Sequence, residues 1–387
     1  MTEREQEILS IIAEHPMISQ NEIADQLSLT RSSVSVYIAN MVKSGVLKGR
    51  GYIVAEEDYP IIIGSAAVDI NSSFSDLRPQ ENSDWAPPQR DCSISFTYSG
   101  GAKNLAEHVV RLGGAPKIIS AVARDFFGSE IIRECNQHGI STELCPLLDN
   151  AATTIFLNIF SPQQDIAAMT SNQIDRNITP EFLESRYIHL KKARQIVIED
   201  RMSTEAIDYI TSTFQSPQLF LMASRRLSSI PCYNRFLDRF SVLLFSFPVA
   251  AYLCGIYDPL PPGSVASASL LREMAAVLRN KTGGDKHILF PAYGNKLCYI
   301  CGKDTLFLPL PGDDMTLNAF GFSRDAMMAG LMYCQEHGFS PEETLFFVGA
   351  CHQIASLSKR PVNRNFCLNL VLSTMESLKK SSAIGRL

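Results

Sequence analysis

The chain has 387 residues, a length that suits two domains, one small and one large. Apolar residues make up 45% and charged residues 19%, the balance of an ordinary folded chain, and a formal net charge of −5 excludes a protein that coats nucleic acid non-specifically. The longest charge-free apolar stretch, Phe240 to Ile256, is interrupted by Pro248 and falls short of the ~20 residues of a membrane span, so it reads as a buried strand followed by a helix.

The start, Met1-Thr2-Glu3-Arg4-Glu5, carries acids and resembles neither a signal peptide nor a transit peptide, so a cytoplasmic location without membrane contact is expected. Ten cysteines are scattered. Cys298 and Cys301 form a lone C-x-x-C with no second pair at metal-ligand spacing, so buried free thiols are expected and no metal site.

Ile8, Leu9, Ile11 and Ile12 share one face of a helix from about Glu3 to His15, which Pro16 ends. Ser19 stands three residues before Glu22, a capping box that opens a second helix through Ile23, Ala24 and Leu27. After the turn Ser28-Leu29, Thr30 caps a third helix that directs Val34, Ile38, Met41 and Val42 inward, and Gly45 stops it. Val46 to Val54 reads as two short strands around a glycine-rich tip. Between Arg31 and Arg50 the chain holds no acid, while Arg31, Lys43, Lys48 and Arg50 are basic. A local positive face can therefore meet phosphate although the whole chain is acidic.

Three helices and a hairpin in this order resemble the winged helix-turn-helix family. The resemblance implies operator DNA as a partner, with Arg31, Ser32, Ser33, Ser35 and Tyr37 on a recognition helix and Lys48 and Arg50 on the wing. A small helical module for protein contacts has the same outline. The boundaries expected are 1–57 for this domain and 58–387 for the next.

From Pro60 onward short apolar runs alternate with amphipathic helices, the pattern of an open sheet flanked by helices. Ile61-Ile62-Ile63-Gly64 is a buried strand, and Asp69 follows a few residues beyond its end, where ligands of such folds bind; the alternative role for Asp69 is to cap a turn. Ser93 to Tyr98 alternates as a strand. Gly100-Gly101 then opens a helix containing Asn104, and glycines there let a ligand approach the helix N-terminus.

Gly64 to Asp69, Gly100-Gly101 with Asn104 and Ala106, and Ser120-Ala121-Val122 leading to Asp125-Phe126-Phe127-Gly128 together resemble the PfkB, or ribokinase-like, carbohydrate kinases. The resemblance is greatest to the pseudouridine-kinase-like members with an N-terminal winged helix-turn-helix. It implies an α/β ribokinase-like sandwich with a small β lid from about 91–98 and 152–169, preceded by the winged helix domain. It also implies that Asp69, Gly100, Gly101 and Asn104 hold the hydroxyls of a sugar or nucleoside, and that the chain forms a homodimer through the lid.

The phosphate-handling motifs depart from that family. Its Gly-Ala-Gly-Asp run corresponds to Gly321-Phe322-Ser323-Arg324-Asp325, where Asp325 keeps the position of the catalytic base and bulky or polar residues replace the small ones. Its Asn-x-x-Glu corresponds to Ser246-Phe247-Pro248-Val249, and its Thr-x-Gly-x-x-Gly to Pro291-Ala292-Tyr293-Gly294-Asn295-Lys296. Arg324 is therefore a candidate for a ligand phosphate or for a bridge to a neighbouring acid. The combination suggests a transcriptional regulator that senses a sugar, a nucleoside or a phosphorylated derivative. The alternative is an active kinase, which would take ATP and Mg2+ as cofactors.

Overall fold

The computed structural model describes residues 2–15, 18–44, 46–47, 59–73, 92–160, 165–171, 174–215, 218–223, 227–257, 265–311, 317–358 and 360–387. Pro16, Gly45, Lys48, Arg50 and the tip of the expected wing lie outside these residues. The chain divides into two compact units, Met1–Asp58 and Tyr59–Leu387.

The first unit is built from α1 (Glu3–Glu14), α2 (Gln20–Leu27) and α3 (Arg31–Lys43). Reciprocal capping boxes, Thr2 with Glu5 and Ser19 with Glu22, satisfy the first amides of α1 and α2. Thr30 accepts from the Ser33 amide and starts α3. Ile8, Ile12, Ile23, Ala24, Val34, Ile38, Met41 and Leu47 form one buried cluster. Val42 is not among them; it is 44% exposed. Eight residues after Val34, it has rotated off the inward face, whereas Ile38 and Met41 fall at the four- and seven-residue spacing that keeps it.

The second unit begins with β1 (Pro60–Ile63), β2 (Ala67–Ser73) and β3 (Ser93–Ser99), then α4 (Gly101–Arg111), β4 (Lys117–Ile119), β5 (Val122–Ala123) and α5 (Phe126–Gln137). β6 (Leu147–Leu148), β7 (Ile155–Phe160), β8 (Asp165–Thr170), β9 (Gln195–Glu199), β10 (Gln218–Met222) and β11 (Val242–Leu244) follow. The last strands are β12 (His287–Ala292), β13 (Lys296–Cys301), β14 (Asp304–Pro309) and β15 (Gly385–Arg386).

A nine-stranded sheet has the order β15-β14-β13-β12-β11-β10-β9-β1-β4. Pairing is parallel from β4 through β12 and antiparallel from β12 to β15. Alternate side chains feed two cores. Ile61, Ile63, Ile196, Ile198, Leu221 and Phe290 face one, while Ile62, Val197, Phe220, Met222, Leu244 and Leu289 face the other. Burial on both faces explains why these strands read as continuous apolar runs.

A second sheet of four strands has the order β3-β2-β7-β8. β2 is a strand of this lid, so Asp69 lies within a strand rather than in the loop expected after β1. Its register partners are Thr97 on β3 and Phe156 on β7. The ten cysteines are all free; Cys298 is buried and Cys301 half-buried on β13, whereas Cys92 and Cys367 are exposed, unlike the buried thiols expected.

Candidate functional site

In the first unit, α3 presents Arg31, Ser32, Ser35, Val36, Ala39, Asn40 and Lys43 as exposed. Ser33 is turned toward the helix start, its hydroxyl 2.8 Å from that of Thr30. Tyr37 is half-buried against the helical core. Val36 and Asn40 stand on the same exposed face, four residues apart, a spacing that puts them one helical turn from each other.

In the second unit, a small residue set closes the gap between β1, α4 and β9. Glu199, at the end of β9, accepts hydrogen bonds from the Ser65 amide at 2.8 Å and the Ser65 hydroxyl at 2.9 Å. The Gly101 amide donates to Ser65 Oγ at 3.1 Å. A β-carbon on Gly64 would lie 2.6 Å from Glu199 Oε2, and one on Gly101 would run into the same carboxylate. Gly100 has φ +111°, and its β-carbon would meet the Ser65 carbonyl. The glycines thus let α4 approach β1 and Glu199 closely; this packing demand accounts for them before any ligand is considered. Glu199 escaped the sequence reading because Ser65 is 134 residues away from it, and a strand-end Glu-Asp-Arg run was the available signal.

Asn104 of α4 meets Asp325. Asn104 donates to Ser99 Oγ at 3.0 Å and also hydrogen-bonds the Asp325 carboxylate. Asp69 lies near Asp325 under the lid. Burial pushes its carboxyl up to about 6 against a hydrogen bond from Ser99; the Asp325 charge adds to the rise, and Lys103 and Arg201 oppose it. The Arg201 guanidinium stands 4.6 Å from the centre of the Phe156 ring, beside Asp69. Asp69, Asn104 and Asp325 are therefore brought together, with Arg201 and Phe156 as neighbours that sequence reasoning did not find. Of these residues Arg201 also borders a cavity of about 630 Å³, together with Arg176, Asp200, Ser203 and Ser228, and Asp69, Asn104 and Asp325 do not line it.

Arg324 stands immediately before Asp325, in the stretch that corresponds to the phosphate-handling run. Its Nε and Nη2 donate to Asp325 Oδ1 at 2.9 and 2.8 Å, and Nη2 lies 3.8 Å from Glu199 Oε1. Burial works against the guanidinium charge, but Asp325, Glu199 and Asp200 hold it well above the usual arginine range. Burial likewise pushes the Asp325 carboxyl up, against the pull of Arg324. The helix carrying both residues begins at Leu317, so the amides of residues 321–325 lie inside it and are engaged by carbonyls one turn back.

The other two altered motifs have structural occupations. Ser246 accepts from the Val249 amide at 3.4 Å and caps the helix Phe247–Leu253. The Phe247 ring meets Tyr293 edge to face at 4.7 Å. Asn295, at φ +54°, ties the turn between β12 and β13 to the Leu310 carbonyl at 2.9 Å. Asp125 caps α5 through the Gly128 amide at 2.7 Å and receives Thr153 through its amide at 2.8 Å and its hydroxyl at 2.7 Å, bracing the approach to the lid.

Glu107, Glu134 and His138 converge with metal-ligand spacing. Lys103 already supplies a cation there, 2.7 Å from Glu134 and 3.5 Å from Glu107. No helix among the described residues is long and apolar enough to cross a membrane.

Comparison with known proteins agrees with this architecture. Residues 1–48 match the winged helix-turn-helix DNA-binding family, and residues 68–212 match the pfkB family of carbohydrate kinases. The chain thus joins a winged helix-turn-helix segment to a PfkB carbohydrate-kinase segment. The PfkB match extends to relatives along the whole chain. A protein named uncharacterized sugar kinase YeiI, from Escherichia coli K12, is 26% identical over 378 residues, covering 96% of this chain and 99% of its own length. Pseudouridine kinase from the same organism is 24% identical over 331 residues, covering 83% of this chain and 98% of its own. The solved carbohydrate kinase from Agrobacterium tumefaciens superposes with a TM-score of 0.67 at 15% identity, over 86% of this chain and all of the other, and so shares the ribokinase-like fold.

Proposed function

We propose that this protein is a DNA-binding transcriptional regulator whose kinase-like domain binds a sugar, a nucleoside or a phosphorylated derivative and transfers little or no phosphate. The observation that carries the reading is the pairing of Arg324 with Asp325. A kinase needs Asp325 free to take a proton from the attacking hydroxyl and amides free to meet the γ-phosphate. Here the carboxylate is engaged by a buried guanidinium and by Asn104, and Phe247 and Tyr293 pack together on the nucleotide side.

Asp69, Gly100, Gly101 and Asn104 are the proposed effector residues, and no metal is assigned to the site. Arg324, in this reading, closes the phosphate end rather than waiting for a ligand. Arg31, Ser32, Ser33, Ser35 and Tyr37 are the proposed contacts of α3 with operator DNA, joined by Lys48 and Arg50. An effector changes operator affinity only by binding the DNA-competent and incompetent states unequally.

A homodimer is proposed through the lid. The face of the lid turned away from Asp69 exposes Ile94 at 67%, Phe96 at 62% and Met169 at 49%, an apolar surface that a second copy would cover.

One observation favours the alternative of a working kinase with ATP and Mg2+: Asp325 lies beside Asp69 and Asn104, a grouping that suits a hydroxyl acceptor. The deciding experiment is calorimetry with nucleosides, pentoses, hexoses, their phosphates and ATP. A sugar or nucleoside signal without magnesium-dependent ATP binding supports the regulator, and the reverse supports the enzyme.

A further inference from the structure

We infer that α3 reads an A·T-containing core in its operator, with Val36 against thymine methyl groups and Asn40 on adenine. The inference rests on the DNA-binding reading above and adds to it the class of sequence recognised.

The exposed stripe of α3 runs Ser32, Val36, Ala39, Asn40 and Lys43, at the three- and four-residue steps that line one side of a helix. Val36 is 58% exposed, although three apolar neighbours on the same helix, Val34, Ile38 and Met41, are buried. On a face that meets DNA, an exposed apolar side chain gains most from an apolar partner. On duplex DNA the apolar feature of the major groove is the thymine C5-methyl. Asn40 lies one turn further on, and an amide side chain matches the N6 donor and N7 acceptor of adenine in a bidentate pair. Its own side chain makes no hydrogen bond recorded among the described residues.

The middle of the helix lacks the other common code. Guanine is most often read by Arg or Lys bonding O6 and N7. On α3 the basic residues are Arg31 at the start and Lys43 at the end, with none between. Placed at the two ends, they suit the phosphates that flank the groove. The helix holds no acid, so its charge complements DNA throughout. Ser32 and Ser35 accept either base and add no preference for G·C. Duplex RNA is unsuited as the partner, since its major groove is too narrow and deep for a helix.

The test uses the full chain. A pool of random DNA duplexes is incubated with the protein and the retained fraction is sequenced. The expected result is a selected site with A·T pairs at its core. Replacing each core thymine by deoxyuridine, which deletes only the methyl, should weaken binding about 4-fold at the position under Val36, the worth of one buried methyl. Val36→Ala should lose that sensitivity, and Asn40→Ala should lower discrimination for adenine by about 5- to 100-fold. Both residues are exposed, so neither substitution removes core packing; a melting curve of each variant checks this. A G·C core, or equal deoxyuridine sensitivity in the wild type and Val36→Ala, would overturn the inference and leave the regulator reading in place. Retention of no duplex above background would overturn both.

Discussion

Arg324 and Asp325, consecutive on one helix, are joined to each other at 2.8 Å in a space where Asp325 is 2% exposed. A carboxylate in this position is worth most to a kinase when it faces substrate alone. Its engagement by a neighbouring guanidinium converts a candidate base into half of a buried ion pair, and the consequences can be measured.

Removing one partner of such a pair leaves the other charge buried without compensation. Arg324→Ala is expected to lower stability at pH 7 by about 3 to 5 kcal/mol. Adding Asp325→Asn should restore part of that loss, because the stranded charge is gone. Urea unfolding of both single variants and the double variant measures the coupling; strictly additive losses would show that the two side chains do not act together.

Asp69 gives the pocket a pH dependence. Its carboxyl is raised from 3.8 to about 6, chiefly by burial, with Asp325 adding to the rise and Ser99, Lys103 and Arg201 opposing it. A raised acid favours the folded state when protonated. Its contribution to stability is therefore complete below pH 3.8 and is lost as pH climbs through 6. Effector affinity should run the other way, since an ionised Asp69 accepts hydroxyl donors on all its lone pairs. Calorimetry from pH 5 to 8 should show binding strengthen through about pH 6, and Asp69→Asn should flatten the profile.

Gly100 combines a left-handed backbone with a carbonyl in the place of a β-carbon. Gly100→Ala should cost at least about 1 to 3 kcal/mol and lower the melting temperature. Gly101→Ala should also displace Glu199 from Ser65, weakening ligand binding together with stability. A Gly101→Ala protein that melts and binds like the wild type would contradict the tight approach of α4.

Asp125 carries a lesson about reading motifs. In the sequence it belongs to a turn that helps identify the family, yet its two oxygens are occupied by Gly128 and Thr153. Asp125→Ala should therefore destabilise by about 1 to 2 kcal/mol, the worth of a lost helix cap, with ligand affinity unchanged once the protein is folded. The hydrogen bonds from Thr153 and Gly128, set against burial, hold its carboxyl below the usual range. The stability it gives is complete above the unfolded value and disappears as pH falls through the lower folded one.

Local signals were the legible ones. The caps at Ser19 and Thr30, the buried run at Ile61 to Ile63 and the strand-then-helix pattern from Phe240 to Ile256 each depend on residues within a few positions of one another, so the sequence displays them directly. Asp69 and Asn104 were found through a pattern of motifs in order. Val42 was misread because one further residue of helical rotation turns it outward. Glu199 and Arg201 are not legible for another reason: their partners lie far away in the chain, Ser65 just past β1, which pairs with β9, and Phe156 on β7 of the lid sheet. Likewise, nothing local distinguishes an arginine that waits for phosphate from one that neutralises the next residue. The difference lies in burial, which Glu199 and the helix beginning at Leu317 impose.

The most direct measurement is product formation. The full chain is incubated with ATP, Mg2+ and whichever nucleoside or sugar calorimetry selects, and phosphorylated product is followed by mass. The account predicts turnover far below about 1 per second, down to none, while the compound still binds. Magnesium-dependent turnover at about 1 per second or faster, the ordinary range for enzymes, abolished in Asp325→Asn, would contradict it.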